Sequence, residues 1–330
     1  MKKISVLGAG AWGTALAQIA ANNGKEVTLW VREPELIEDI QTKHTNTLFL
    51  PDVALNEHIF PTGDQKQAVL NAEAVLMVIP AQYLRTACHS LRSVWPAELP
   101  AVICAKGIEE TTGALLSEIL AEELPQAEIA VLSGPTFARE AALNKPTALT
   151  LACKNEALGK ELVETLGTSA FRPYYSADVI GVQIGGAVKN VMAIAAGIVA
   201  GKQLGDNARA ALITRGLAEI SRLAVALGGQ TYTLMGLSGL GDLVLTANST
   251  QSRNFTVGLE LGKGRKLTDI LAEKRTVAEG VFTAAAVLKR AAQAGVEMPI
   301  CEGLSKIMNE NVPVDAVIQS LFARPFKNEA

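Results

Sequence analysis

Lys189 lies near the centre of Val179-Ile180-Gly181-Val182-Gln183-Ile184-Gly185-Gly186-Ala187-Val188-Lys189-Asn190-Val191-Met192-Ala193-Ile194-Ala195-Ala196-Gly197-Ile198-Val199-Ala200, a stretch with no other charged side chain. On a helix, its side chain leans over positions 186 and 185, both glycine. Adjacent glycines cost about 1 kcal/mol each against alanine, and a ligand pocket beneath the ammonium would account for them. An ammonium with apolar neighbours on every side must be paired or neutral, and desolvation lowers a lysine pKa. The neutral amine is then a general base for a hydroxyl proton. The plainer alternative is an amphipathic lysine that snorkels to solvent.

Two downstream segments could hold an anion. In Met235-Gly236-Leu237-Ser238-Gly239-Leu240-Gly241-Asp242-Leu243-Val244-Leu245-Thr246, closely spaced glycines allow backbone N–H contacts to an anion or close helix approach, with Asp242 after the bend. Then Gln251-Ser252-Arg253-Asn254 gathers a hydroxyl, a guanidinium and an amide where a helix can start. That set suits a phosphate, although an ordinary polar loop and cap would read the same way.

The third constellation is at the other end. Ile4-Ser5-Val6-Leu7 runs into Gly8-Ala9-Gly10-Ala11-Trp12-Gly13 and then an alanine-rich helical pattern. In that order, Gly8 gives the tight turn, Gly10 lets backbone approach phosphates, and Gly13 lets helix and strand pack. A second strand, Val27-Thr28-Leu29-Trp30-Val31, completes the context of a dinucleotide site, and Arg32 just beyond it suits a 2′-phosphate, with Glu33 weakening the discrimination. Lys106-Gly107 and Ser133-Gly134-Pro135-Thr136-Phe137-Ala138 follow two further strand candidates, where open α/β sheets bind ligands. A nicotinamide cofactor and a desolvated lysine together suggest alcohol oxidation.

These residues need a sheet to position them. Ala74 to Ile79, Ala101 to Ala105, Ile129 to Leu132 and Thr147 to Leu151 are apolar without alternation, as a parallel sheet covered on both faces requires. With Phe171 to Tyr175 as a last strand, residues 1–178 read as a Rossmann-type doubly wound α/β domain. Ser176-Ala177-Asp178 then looks like a helix start, and 179–330 reads as a mostly helical domain.

Composition narrows the rest. The 330 residues suffice for two domains, since single cores stop growing near roughly 250–300 residues. A net charge of −3 and a pI near 5.8 leave no electrostatic footprint for nucleic acid. Cys88, Cys104, Cys153 and Cys301 form no C-x-x-C pair, which fits a reduced cytosol and argues against a zinc site. Lys2-Lys3 and Ala15-Leu16-Ala17 imitate an export signal, but cleavage there would delete the first strand and its turn. The sequons at Asn248 and Asn254 then carry no meaning. The 179–200 window is long enough to cross a bilayer, yet Lys189 alone would cost about 2.5–3.5 kcal/mol, so a helix buried between domains is expected.

Taken in order, Gly8 to Ala15, Lys106-Gly107, Ser133 to Ala138, Gly185-Gly186-Ala187-Val188-Lys189-Asn190, Leu212-Ile213-Thr214-Arg215-Gly216, Gly239-Leu240-Gly241-Asp242 and Ser252-Arg253-Asn254 resemble bacterial NAD(P)-dependent glycerol-3-phosphate dehydrogenases over essentially the whole chain. The resemblance implies interconversion of sn-glycerol 3-phosphate and dihydroxyacetone phosphate with NAD or NADP, supplying phospholipid synthesis in the cytoplasm. It implies Lys189 as proton acceptor, and Lys106, Gly134, Thr136, Asp242, Ser252, Arg253 and Asn254 at the substrate. It further places Ala11, Trp12, Arg32, Lys106, Ala138, Arg253, Val277 and Glu279 at the cofactor, Val277 and Glu279 on resemblance alone. A departure is Gly201-Lys202-Gln203-Leu204-Gly205-Asp206, where many relatives read Asp-Gly in place of Gly-Lys. The expected partner is a small phosphorylated molecule, with no nucleic acid and no stable membrane insertion, and a homodimer is left open. Two rival readings are a β-hydroxyacid dehydrogenase, which would need a carboxylate clamp in place of Ser252-Arg253-Asn254, and a non-catalytic nicotinamide sensor.

Overall fold

The computed structural model describes residues 1–273, 278–326 and 328. Eight strands form one sheet in the order β3-β2-β1-β4-β5-β6-β7-β8. They are β1 (Lys3–Leu7), β2 (Glu26–Trp30), β3 (Ile59–Thr62), β4 (Ala74–Met77), β5 (Pro100–Ile103), β6 (Glu128–Ser133), β7 (Thr147–Cys153) and β8 (Phe171–Ser176). Helices α1 (Ala11–Asn22), α2 (Pro34–Lys43), α3 (Gln65–Leu70), α4 (Ala81–Leu91), α5 (Leu116–Glu123), α6 (Ala138–Ala142) and α7 (Glu156–Leu166) connect them. β4 and β5 are buried at every position, which is why their sequences lack polar alternation.

Two features depart from the expectation. β3 was not anticipated, because four residues containing Pro61 at a sheet edge give too short a pattern. β7 also runs antiparallel to β6, so the sheet is not parallel throughout. The connection between them carries only the five-residue α6, which rises about 8 Å and cannot return the chain along a strand of about 20 Å. The chain therefore re-enters from the end it left, and β8 pairs parallel to β7.

All later elements are helical: α8 (Val179–Gly201), α9 (Asp206–Ala226), α10 (Thr231–Leu234), a wide π-type turn at Leu237–Gly241, α11 (Asp242–Ala247), α12 (Arg253–Gly262), α13 (Leu267–Ala272), α14 (Glu279–Gln293), α15 (Pro299–Asn309) and α16 (Val314–Phe322). Asp178 caps α8, accepting from the Gly181 and Gln230 N–H groups at 2.8 Å each. α8 is long and apolar enough to span a membrane, but 83% of its most apolar window is buried inside the fold. It is the axis of the helical core. Where α12 crosses it, backbone meets backbone: a Cβ on Gly197 would lie 2.1 Å from Phe255 O, and one on Gly258 1.9 Å from Ile194 O. That contact fixes the start of α12 relative to Lys189.

Candidate active site

β1 ends in the glycine turn. Gly8 adopts φ +119°, and a Cβ on Gly13 would lie 1.8 Å from Gly8 O, so α1 packs directly against the turn. Gly10 caps α1 without a side-chain bond, and a Cβ there would meet nothing within 4 Å. The first-turn N–H groups of Ala11, Trp12 and Gly13 have no intrahelical acceptor, and the buried Trp12 Nε1 has no partner among the described residues. Free donors at a helix N-terminus beside an open glycine fit the pyrophosphate of a dinucleotide. Arg32 stands past β2 at the surface, its guanidinium paired with Glu33 at 2.7 Å.

The carboxyl ends of β5 and β6 bring Lys106 and Gly134 together: Lys106 Nζ donates to Gly134 O at 2.9 Å. The same ammonium lies 2.6 Å from Asp242 Oδ2, while Lys189 Nζ lies 3.0 Å from Asp242 Oδ1. One fully buried carboxylate thus bridges a lysine from the sheet and a lysine from α8. Burying a lone carboxylate costs several kcal/mol, but two ammoniums and the Thr246 hydroxyl compensate it here. Burial works against ionisation of Asp242, yet Lys106 and Lys189 hold its carboxyl below the usual carboxylate value. For Lys189 the balance is opposite. Burial, with Lys106 as a like charge, outweighs the attraction of Asp242 and brings it down to about 8. Lys189 is only 7% exposed, so it does not snorkel.

The expected gap under Lys189 is filled. A Cβ on Gly185 would lie 2.5 Å from Ser238 O, and one on Gly186 2.4 Å from Ser133 Oγ and 3.5 Å from Lys106 Cγ. The glycines let the 237–241 turn and the end of β6 reach α8, which is how Asp242 and Lys106 arrive at the amine. The downstream glycines act likewise, since a Cβ on Gly239 would lie 2.1 Å from Leu234 O.

Ser252 caps α12 by accepting from Phe255 N at 3.2 Å. Arg253 is exposed; its carbonyl accepts from Thr256 Oγ1 at 2.9 Å, while its guanidinium makes no hydrogen bond or ion pair among the described residues, which leaves it for an anion. Asn254 is more committed than expected: its Nδ2 donates to Asn190 Oδ1 at 2.9 Å and its Oδ1 accepts from Gly280 N at 3.0 Å. Thr136 and Ala138 follow Gly134, with Thr136 Oγ1 donating to Gly134 O and Ala138 opening α6. Glu279 opens α14. Burial raises its carboxyl above the usual value, against the pull of Arg253, Lys189 and Lys106. Val277 lies outside the described residues.

Two side chains at the site were given no role from sequence. Thr246 Oγ1 accepts from Lys189 Nζ at 2.8 Å, and its place four residues after Asp242 on one helix was the available signal. Asn190 Nδ2 donates to Lys106 O at 3.3 Å. It carries a chain of amide contacts from β5 through α8 and α12 to α14.

A dinucleotide turn at the carboxyl end of the interior strand β1 of an α/β sheet, facing a helical domain that presents a buried amine, defines the class of two-domain nicotinamide-dependent oxidoreductases. Family models described as the NAD-dependent glycerol-3-phosphate dehydrogenase N-terminus and C-terminus match residues 3–159 and 178–319. The chain is 56% identical over 326 residues to a Rhodospirillum rubrum protein named glycerol-3-phosphate dehydrogenase [NAD(P)+], covering 99% of this chain and 93% of that one. It also resembles the crystal structure of glycerol-3-phosphate dehydrogenase from Coxiella burnetii, with a TM-score of 0.94 and 38% identity over 98% of this chain and 99% of that one. For the Saccharomyces cerevisiae enzyme of that name the TM-score is 0.84 at 28% identity, covering 96% and 98%. The chain belongs to the NAD-dependent glycerol-3-phosphate dehydrogenase family.

Proposed function

We propose that this chain interconverts sn-glycerol 3-phosphate and dihydroxyacetone phosphate with NAD(H) or NADP(H), in the cytoplasm and in support of phospholipid synthesis. The observation that carries the reading is the Lys106–Asp242–Lys189 bridge at the cleft, with the exposed Arg253 guanidinium on the neighbouring helix start. Residues 1–178 form the cofactor domain and 179–330 the substrate domain. The cofactor, when bound at Gly8 to Gly13, supplies the hydride acceptor or donor.

The chain's own residues do the rest. Lys189 Nζ takes the substrate hydroxyl proton as the carbinol carbon gives up hydride, and returns it to the alkoxide oxygen in the reverse direction. Asp242 fixes both ammoniums, and Lys106, Gly134 and Thr136 orient the substrate from the sheet. With Lys189 protonated, as the reductive direction requires, two ammoniums against one carboxylate leave this cluster net positive, which favours a phosphorylated substrate and an oxygen that gains negative charge. Ser252, Arg253 and Asn254 receive the phosphate, with the Ser252 hydroxyl hydrogen and the guanidinium as donors.

The test is a spectrophotometric assay with each reduced cofactor on dihydroxyacetone phosphate, unphosphorylated dihydroxyacetone and a carboxylate analogue. Turnover confined to the phosphate ester is expected. Preference for the carboxylate would move the chain to the hydroxyacid class, and binding without turnover would make it a sensor.

A further inference from the structure

Asn46 lies in the loop after α2 with its side chain fully buried. Leu50, Val53 and Leu55 anchor that loop in the core of the sheet domain, and Gln18 of α1 grips it by donating to Ala54 O and accepting from Asn56 N. Asn46 Nδ2 donates to Ala9 O and to Thr14 Oγ1, both at 2.8 Å. Thr14 Oγ1 donates in turn to the same Ala9 O at 3.1 Å, and Asn46 Oδ1 accepts from Phe49 N at 3.0 Å. Both amide hydrogens, the hydroxyl hydrogen and two lone pairs of the Ala9 carbonyl are thereby used.

Ala9 is the middle residue of the glycine turn, so this ring acts on the peptide that faces the cleft. A trans peptide is planar, with its C=O and N–H pointing in opposite directions. Drawing the Ala9 carbonyl into the protein turns the Gly10 N–H outward, on the side where a Cβ on Gly10 would meet nothing within 4 Å. That N–H has no partner among the described residues. The opposite orientation would present a carbonyl oxygen to any bound anion.

We infer that Asn46 and Thr14 are positioning residues that lock the Ala9–Gly10 peptide, so that its N–H is aimed at the cofactor pyrophosphate before binding. The inference rests on the dinucleotide reading of the turn. It separates affinity for the cofactor from the chemical step, because neither residue approaches Lys189.

The test uses Asn46→Ala, and also Thr14→Val and Thr14→Ser in case loss of the amide unfolds the loop. Calorimetry with ADP-ribose, which carries the pyrophosphate but no nicotinamide, should give a Kd raised about tenfold in Asn46→Ala and Thr14→Val. Thr14→Ser should restore the wild-type Kd. The cofactor KM should rise in parallel, while kcat at saturating cofactor and the KM for glycerol 3-phosphate stay unchanged. A folded Thr14→Val protein that binds ADP-ribose as the wild type does overturns the inference and leaves the dinucleotide reading standing. A wild-type protein that does not bind ADP-ribose removes both.

Discussion

Lys189 Nζ and Asp242 Oδ1 lie 3.0 Å apart, yet the lysine is held at about 8, because burial outweighs the carboxylate beside it. A depressed amine is neutral above that value and protonated below it. Alcohol oxidation needs the neutral form, so its kcat should climb as pH rises through about 8, and ketone reduction should fall over the same interval. Asp242→Asn removes the main influence opposing burial and should move both profiles to lower pH. Lys189→Ala should retain cofactor binding and lose about 10²–10⁴-fold in kcat. Near-normal turnover would refute its role as the base.

The Arg253 guanidinium, at the start of α12, makes no hydrogen bond or ion pair among the described residues. Arg253→Ala should raise KM for the phosphorylated substrate by about 10- to 100-fold, as expected for loss of a charge-assisted contact. An unchanged KM in steady-state kinetics would place the phosphate elsewhere.

Arg32 is occupied by Glu33 at 2.7 Å. Glu33→Ala frees the guanidinium for a 2′-phosphate and removes a negative charge beside it. The ratio of kcat/KM for NADPH over NADH should rise several-fold, roughly 1 kcal/mol in favour of the phosphorylated cofactor. No change in that ratio would show that neither side chain reads the ribose.

Glu219 of α9 is buried and accepts from the Ile300 and Cys301 N–H groups at the start of α15, at 2.8 and 3.4 Å. Burial raises its carboxyl from 4.5 to about 7, although those N–H groups favour the charged form. A carboxyl raised on folding contributes stability at low pH that is lost as pH climbs from about 4.5 through about 7, here on the order of 3 kcal/mol. Thermal melts across that interval should show the wild-type Tm declining relative to Glu219→Gln. Parallel curves would count against the buried charge.

Sequence displayed some of this and concealed the rest for identifiable reasons. Unbroken apolar runs gave β4 and β5, because burial on both faces removes alternation. The direction of β7 leaves no mark on periodicity and follows from how short α6 is. Lys189 stood out as a charge in an apolar helix, whereas the glycines beside it were read as a void and turned out to be contacts. Asn46 sits in a loop whose local pattern says nothing of Ala9, thirty-seven positions earlier, to which it bonds.

The seam between α8 and α12 has a consequence for redesign. Gly197 faces Phe255 O and Gly258 faces Ile194 O, so main chain abuts main chain. Ordinarily an enlarged residue in a core can be offset by trimming its neighbour, but a carbonyl cannot be trimmed. Variants of this enzyme would therefore have to diversify around that crossing and leave it untouched, with pocket shape altered through the loops at either end.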